Sequence, residues 1–306
     1  MSVYTLDIDS SERDPVLYPN PGDYVIELNN PVYDVSKISM ISARIHTSQL
    51  LVNERNNTFS VNGTTVSLTN NNYDGDALAV EIVDRVPHIS SAYYDSTINS
   101  ITFTGGNPFT FEFYEGVNGY KSTTDGYTTP HDILGLPASN VSSIGNTLTT
   151  GSINLQGPDA LIVKLSSGSE EFNKTVFSET PFYTGRILMC GDVVNYSGVD
   201  DAVVYNFDSG PQKIIPSLRV QFFYSSNNRL IPYEFRNANH ILKLAVECST
   251  GKQRTPPGDT KNFSLPPPVH IPEMENLNRW NGFVYIFLIV MTGLVFLIFT
   301  RPRNKT

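Results

Sequence analysis

The chain has 306 residues and a net charge of −9, with 40% hydrophobic and 17% charged residues. Its 21 Gly and 20 Pro follow no three-residue period, which excludes collagen-like and coiled-coil architectures. The acidic balance also excludes wholesale nucleic-acid binding by the folded part.

Short runs of alternating apolar and polar residues begin at the N-terminus, and each reads as a strand. Val3–Ile8, Tyr24–Leu28 and Ile38–His46 come first. Thr58–Val61 and Thr65–Leu68 flank Asn62-Gly63, a dipeptide suited to the left-handed conformations of a tight hairpin turn. Asp74–Val86 then changes period: Leu78, Ile82 and Arg85 have helical spacing, Asp76 is placed to cap, and Pro87 stops the run. Ser100–Thr104 and Phe109–Phe113 predict a hairpin around Gly105-Gly106-Asn107-Pro108. Further strands are expected at Ser152–Leu155, Ala160–Leu165, Thr175–Phe177, Thr184–Cys190, Val203–Phe207, Ser217–Tyr224 and His240–Cys248. The expected fold class is therefore all-β: an antiparallel β-sandwich or jelly-roll-like head over residues 1–250. Residues 71–140 form a small helix-plus-hairpin (α+β) insertion in it.

Residues 251–279 contain Pro256, Pro257, Pro266, Pro267, Pro268 and Pro272. Such a segment favours extended polyproline II and reads as a tether or a spacer. It leads into FVYIFLIVMTGLVFLIFT, from Phe283 to Thr300, without a charge or a proline. As a helix this run would span roughly 27 Å, close to the thickness of a hydrocarbon core of about 30 Å. A transmembrane helix is thus expected over 280–300. Phe283, Tyr285, Phe287, Leu288, Leu294 and Phe296 would lie in the bilayer, and Trp280, Arg279, Arg301, Arg303 and Lys305 would anchor at its interfaces. Met1–Asp14 is polar and offers no secretory signal, so a tail anchor with a cytosolic head is expected. The basic tail 301–306 pulls the other way under the positive-inside rule.

Chemistry-bearing patterns are sparse. His46, His88, His131, His240 and His270 show no metal-ligand spacing, and no phosphate-binding glycine loop or hydrolase motif occurs. Cys190 and Cys248 are too few for a disulfide scaffold. The close acidic pairs Asp7/Asp9, Asp74/Asp76 and Asp200/Asp201 read as solvated faces, turns and caps. No catalytic residue, metal site or cofactor is assigned. N-x-[ST] triplets begin at Asn56, Asn62, Asn140, Asn173, Asn195 and Asn262, among others. They would be glycan sites in a lumenal head and carry no meaning in a cytosolic one.

Three stretches carry a resemblance. They are DSSERDPVLYPNPGDYVIEL at 9–28, the DGDALA helix followed by YDSTINSITFTG and HDILGLP, and the closing IIPSLRVQFFYSSNNRLIPYEFRNANHILKLAVE. Together they resemble the capsid-associated, membrane-anchored minor structural proteins of large icosahedral nucleocytoplasmic DNA viruses. The resemblance implies a non-enzymatic minor capsid protein that tethers the outer shell to the inner viral membrane. Its implied partners are the major capsid protein, other minor capsid proteins and the lipid bilayer, with weak contact between the basic tail and packaged DNA. The implied location is the virion, between shell and inner membrane. Tyr18, Pro19, Asn20, Pro21 and Tyr24 would then be an extended assembly arm reaching a neighbouring subunit; the alternative is a plain turn between two strands. A single-pass membrane glycoprotein whose head binds a receptor or ligand is the competing function.

Overall fold

Period-two patterning converts into buried and exposed faces where the sequence is most regular. In the last strand of the head, Leu242, Leu244, Val246 and Cys248 are buried while the residues between them are not. The computed structural model describes residues 2–122, 124–168, 170–172, 185–199, 202–207, 213–249 and 282–299. In chain order the strands begin with β1 (Ser2–Asp9), β2 (Asp23–His46), β3 (Thr58–Val61) and β4 (Thr64–Ser67). Helix α1 (Gly75–Arg85) follows, then β5 (Ile89–Asp95), β6 (Ser100–Gly105), β7 (Thr110–Glu112), β8 (Asn140–Ser142) and β9 (Thr147–Thr149). The chain continues with β10 (Ala160–Ser167), β11 (Glu170–Glu171), β12 (Arg186–Leu188), β13 (Val193–Ser197) and β14 (Val204–Asn206). Last come β15 (Lys213–Ser226), β16 (Arg229–Pro232), β17 (Ile241–Cys248) and helix α2 (Gly282–Phe299). Two units divide the chain, Met1–Arg254 and Thr255–Thr306; α2 is the described part of the second.

The first unit is mostly β-sheet, with α1 its one described α-helix, and its ladders are antiparallel, consistent with an all-β sandwich. Among the described residues its largest sheet has ten strands in the order β1-β17-β2-β15-β10-β11, with β13 and β14 on β2, β12 on β10 and β16 on β15. Strand β2 organises it. The sequence predicts two separate strands here, but Asp23–His46 is one strand of 24 residues. Its first part pairs with β15, and its second lies between β17 and β13/β14. Within the β15 ladder the register shifts between Ile215↔Val32 and Ser217↔Glu27. Pro31 on one strand and Pro216 on the other meet there, and neither can donate a ladder hydrogen bond. A second irregularity follows at Asp34, whose φ of 58° is left-handed. These bulges bend β2 so that both halves of the sheet close over one core, as bulges do. Tyr205 crosses that core to donate from its hydroxyl to the Val163 carbonyl at 3.0 Å.

A second core belongs to residues 51–153 and gathers Leu51, Val52, Leu78, Ile82, Ile133, Leu134, Leu148 and Ile153 around five phenylalanines. It is wider than the 71–140 insertion read from the sequence. One sheet here runs β4-β3-β7-β8 and the other β5-β6-β9. Asn62 (φ 48°) and Gly63 (φ 75°) make the expected turn between β3 and β4. The α1 cap differs from expectation: Asp74, not Asp76, receives the Ala77 N–H on its Oδ1, at 2.8 Å.

The expected hairpin of Ser100–Thr104 with Phe109–Phe113 does not form. β6 pairs with β5 and β9, whereas β7 pairs with β3 and β8. The two runs belong to different sheets, and Phe103 meets Phe111 ring to ring at 5.6 Å. Apolar alternation demands a buried face; it does not say whether the neighbour lies beside the strand or opposite it. Ser152–Leu155 is irregular rather than a strand, although Ile153 is buried. Thr175–Phe177 and Asp200/Asp201 lie outside the described residues. Both cysteines are free, Cys248 buried and Cys190 exposed.

Candidate assembly and anchoring regions

The segment between β1 and β2 is held by Arg13. Its guanidinium donates to the carbonyls of Ser10 (2.6 Å), Tyr18 (2.9 Å) and Pro19 (3.3 Å) and to Asn239 Oδ1 (2.9 Å). Asp14 closes a tight turn by accepting from Val16 N and Leu17 N, and Asn20 Oδ1 accepts from Gly22 N at 2.8 Å. Short Asp and Asn side chains make such local bonds in place of a ladder. Pro21 and Gly22 are buried; a Cβ on Gly22 would lie 2.9 Å from the Tyr233 carbonyl.

Within this chain Tyr18-Pro19-Asn20-Pro21 lies in the segment that joins β1 to β2 and is held by these bonds. Tyr18 is half-buried against the first core. Tyr24 is 1% exposed and therefore a core residue, its hydroxyl 2.9 Å from His240 Nε2. Burial pushes the Tyr24 phenol upward. What the loop presents instead is Val16 and Leu17, 86% and 70% exposed. Sequence reasoning passed over them, though an apolar pair between Pro15 and Pro19 in a polar stretch was the available signal.

The anchoring candidate is α2. Its described side chains, Tyr285 to Phe296 and Phe299, are all exposed. These include Tyr285, Phe287, Leu288, Leu294 and Phe296, all named from the sequence. Thr292 returns its hydroxyl to the Leu288 carbonyl, so the polar side chain is satisfied within the helix. The side chain of Phe283, together with Trp280, Arg279, Arg301, Arg303, Lys305 and the tether 251–279, lies outside the described residues. Among the described residues no helix is long and apolar enough to cross a membrane. The run from Tyr285 to Phe296 covers about 18 Å at 1.5 Å per residue.

A polar junction joins the two cores of the head. Arg229 donates to the carbonyls of Asn118 (2.8 Å), Gly119 (2.7 Å), Tyr127 (3.3 Å) and Ser122, and lies 4.2 Å from the Tyr120 ring centroid. The Tyr120 hydroxyl meets Thr128 Oγ1 at 2.6 Å and Ser226 Oγ at 2.8 Å. Ser226 donates to Asp132 Oδ2 at 2.9 Å, and Asp132 Oδ1 sits 3.2 Å from His131 Nε2. Burial pushes the Asp132 carboxyl up, but His131 and Ser226 outweigh it and hold the group below its ordinary value. Serine, aspartate and histidine thus meet in the wrong order for nucleophilic catalysis. The carboxylate lies between hydroxyl and imidazole, where a base would have to touch the hydroxyl.

The sequons separate by burial. Asn56 is 7% exposed and spends its amide on the Leu51 carbonyl, whereas Asn62 stands exposed at its turn. Asn173 and Asn262 lie outside the described residues.

Residues 1–109 match a family described as a family of unknown function (DUF5901). No curated protein matches the chain. Among solved structures, the mavirus penton protein aligns with 80% of this chain and 99% of its own at 10% identity and a TM-score of 0.36. A chain of the Sputnik virophage aligns with 80% of this chain and 98% of its own at 11% identity and a TM-score of 0.28. Both scores fall below the level from which a common fold follows.

Proposed function

We propose that this chain is a non-enzymatic minor capsid protein, whose β head packs within an icosahedral shell and whose C-terminal helix holds it to the membrane beneath. The observation that carries the reading is α2. A helix that carries apolar residues on every side has no stable place alone in water. Lipid is the solvent that suits it, with residues 280–300 as the span and the Pro-rich 251–279 as the spacer. The sequence resemblance over residues 1–250 supports the capsid part of the proposal. The head would contact the major capsid protein and other minor capsid proteins. The basic tail, Arg301, Arg303 and Lys305, would lie across the bilayer at its surface, with weak salt-sensitive contact to packaged DNA.

Protease protection on purified particles, with tags at both termini and a glycan blot, tests it. The expected result is a head cleaved once the outer shell is opened, a protected tail and no glycan. A head protected within microsomes and carrying glycan on Asn62 would replace the capsid reading with that of a lumenal glycoprotein. Asn56 does not serve in that test, because its amide is buried.

A further inference from the structure

The loop between β1 and β2 holds an apolar tip in water: Pro15, Val16, Leu17 and Pro19 are all exposed. The backbone beneath them is braced. Asp14 accepts from Val16 N and Leu17 N on its Oδ1, and its carbonyl accepts from Tyr18 N at 2.9 Å. Arg13 ties both flanks of the tip together, the Ser10 carbonyl before it and the Tyr18 and Pro19 carbonyls after it, and fastens them to Asn239 just before β17. Tyr18 is packed on the first core. A floppy loop would fold two such side chains inward; this one presents them. A braced tip also loses little conformational freedom on docking, so more of its burial shows as affinity.

Position and charge narrow the occupant. β1 pairs with β17 from Ser2↔Cys248 to Asp9↔Ile241. The last described residue of the head, Ser249, therefore lies beside Ser2, whereas the tip follows Asp9, about 24 Å away along the strand. On the reading proposed above, the chain continues from Ser249 toward the membrane, so the tip stands at the far end of the head, the end turned to the shell. Glu12 and Asp14 flank the tip, exposed and without an ion-pair partner among the described residues. Of the nearby cations, Arg13 is spent on the loop carbonyls and Arg219 on Asp23, at 2.8 and 2.7 Å. Negative lipid headgroups would repel the two carboxylates. A second copy would bring its own carboxylates against them, and its cleft at Asp132 and Asp159 is lined mainly by polar side chains. An apolar pocket rimmed by Lys or Arg on a different protein answers both features: Val16 and Leu17 fill it, and Glu12 and Asp14 meet the rim.

We infer that the Val16-Leu17 tip docks the head into an apolar, basic-rimmed pocket of a neighbouring shell protein of different sequence. The inference rests on the capsid reading for the side the tip faces. The test uses purified particles in which a photoreactive benzophenone amino acid replaces Leu17. Light is expected to attach it to one other protein of the particle, within an apolar site that has Lys or Arg beside it. Val16→Ser combined with Leu17→Ser should lower the amount of chain retained on shells stripped of lipid by detergent about tenfold. The Tm of the purified chain should stay put, because both side chains are exposed. An adduct to lipid, an adduct to a second copy of this chain, no adduct, or unchanged retention would each overturn the inference. The same benzophenone in place of Ile289 reads the anchor separately. Lipid adducts there with no protein adduct at the tip would overturn this inference and leave the anchor; the reverse would overturn the anchor and leave the tip.

Discussion

His240 makes the stability of the head depend on pH in a way that can be calculated. The residue is 1% exposed, and its ring centroid lies 4.5 Å from Phe222, 4.9 Å from Phe235 and 5.6 Å from Tyr24. Nε2 is engaged by Tyr24, while buried Nδ1 has no partner. Burial, reinforced by the Arg13 charge and opposed by Asp9, pushes the imidazole down to about 3. In the unfolded chain it titrates near 6.5. Between those values the unfolded state holds one proton more than the native state, so stability is complete above the higher value and falls as pH drops. The slope is about 1.4 kcal/mol per pH unit, which amounts to about 2 kcal/mol lost by about pH 5. His240→Gln keeps a group able to bond Tyr24 and removes the titration. It should cost about 1–3 kcal/mol near neutrality, because the amide fills less of a ring-lined site. It should also flatten the pH profile. Urea unfolding followed by the near-ultraviolet circular dichroism of buried tyrosines, at a series of pH values, measures both effects. His46, His88 and His131 are present in both proteins and cancel in the difference. Parallel profiles for the two proteins from about pH 6.5 to 5 would refute the reasoning.

Three further predictions concern other parts of the chain. Arg229→Ala should destabilise the head by about 2–4 kcal/mol and open the 114–128 segment to protease, since four carbonyls and the Tyr120 face lose their partner. Arg229→Lys should recover little, because a point ammonium lacks the planar fork, and equal Tm values for Lys and Arg would contradict this. Gly135→Ala should cost about 3 kcal/mol or more, seen as a lowered Tm. Gly135 has a φ of 63°, and a Cβ there would collide with the Ser152 carbonyl. Ile289→Arg puts a charge at mid-helix, worth about 2.5–3.5 kcal/mol against insertion, and should shift the protein from the carbonate-resistant membrane pellet toward the supernatant. Unchanged fractionation would mean that α2 does not hold the chain to lipid.

Local signals were legible and long-range ones were not. Asn62-Gly63, α1 and the apolar run of α2 each follow from a few consecutive residues, because backbone conformation and helical periodicity are set within a turn or two. The hairpin assigned to Ser100–Phe113 failed where locality ends, since β6 and β7 face each other across a core instead of pairing. The surroundings of Tyr24 were equally illegible: it is the first inward residue of β2 and closes on His240, far along the chain. Val16 and Leu17 were overlooked because an exposed apolar pair has the same letters as a buried one.

The amino-acid order by itself determined the β class, the change of character after residue 250, the apolar helix and the absence of a recognised catalytic motif. These depend on composition, period and chain punctuation, which need no knowledge of neighbours. The tertiary structure decided which strands pair, the bend of β2 at Pro31 and Pro216, the pinning of the 10–22 loop by Arg13, and the meeting of Asp132 with Tyr224 and Ser226 in one cleft. Such contacts join residues tens to hundreds of positions apart. They exist only once burial has brought the strands together, so no local pattern encodes them.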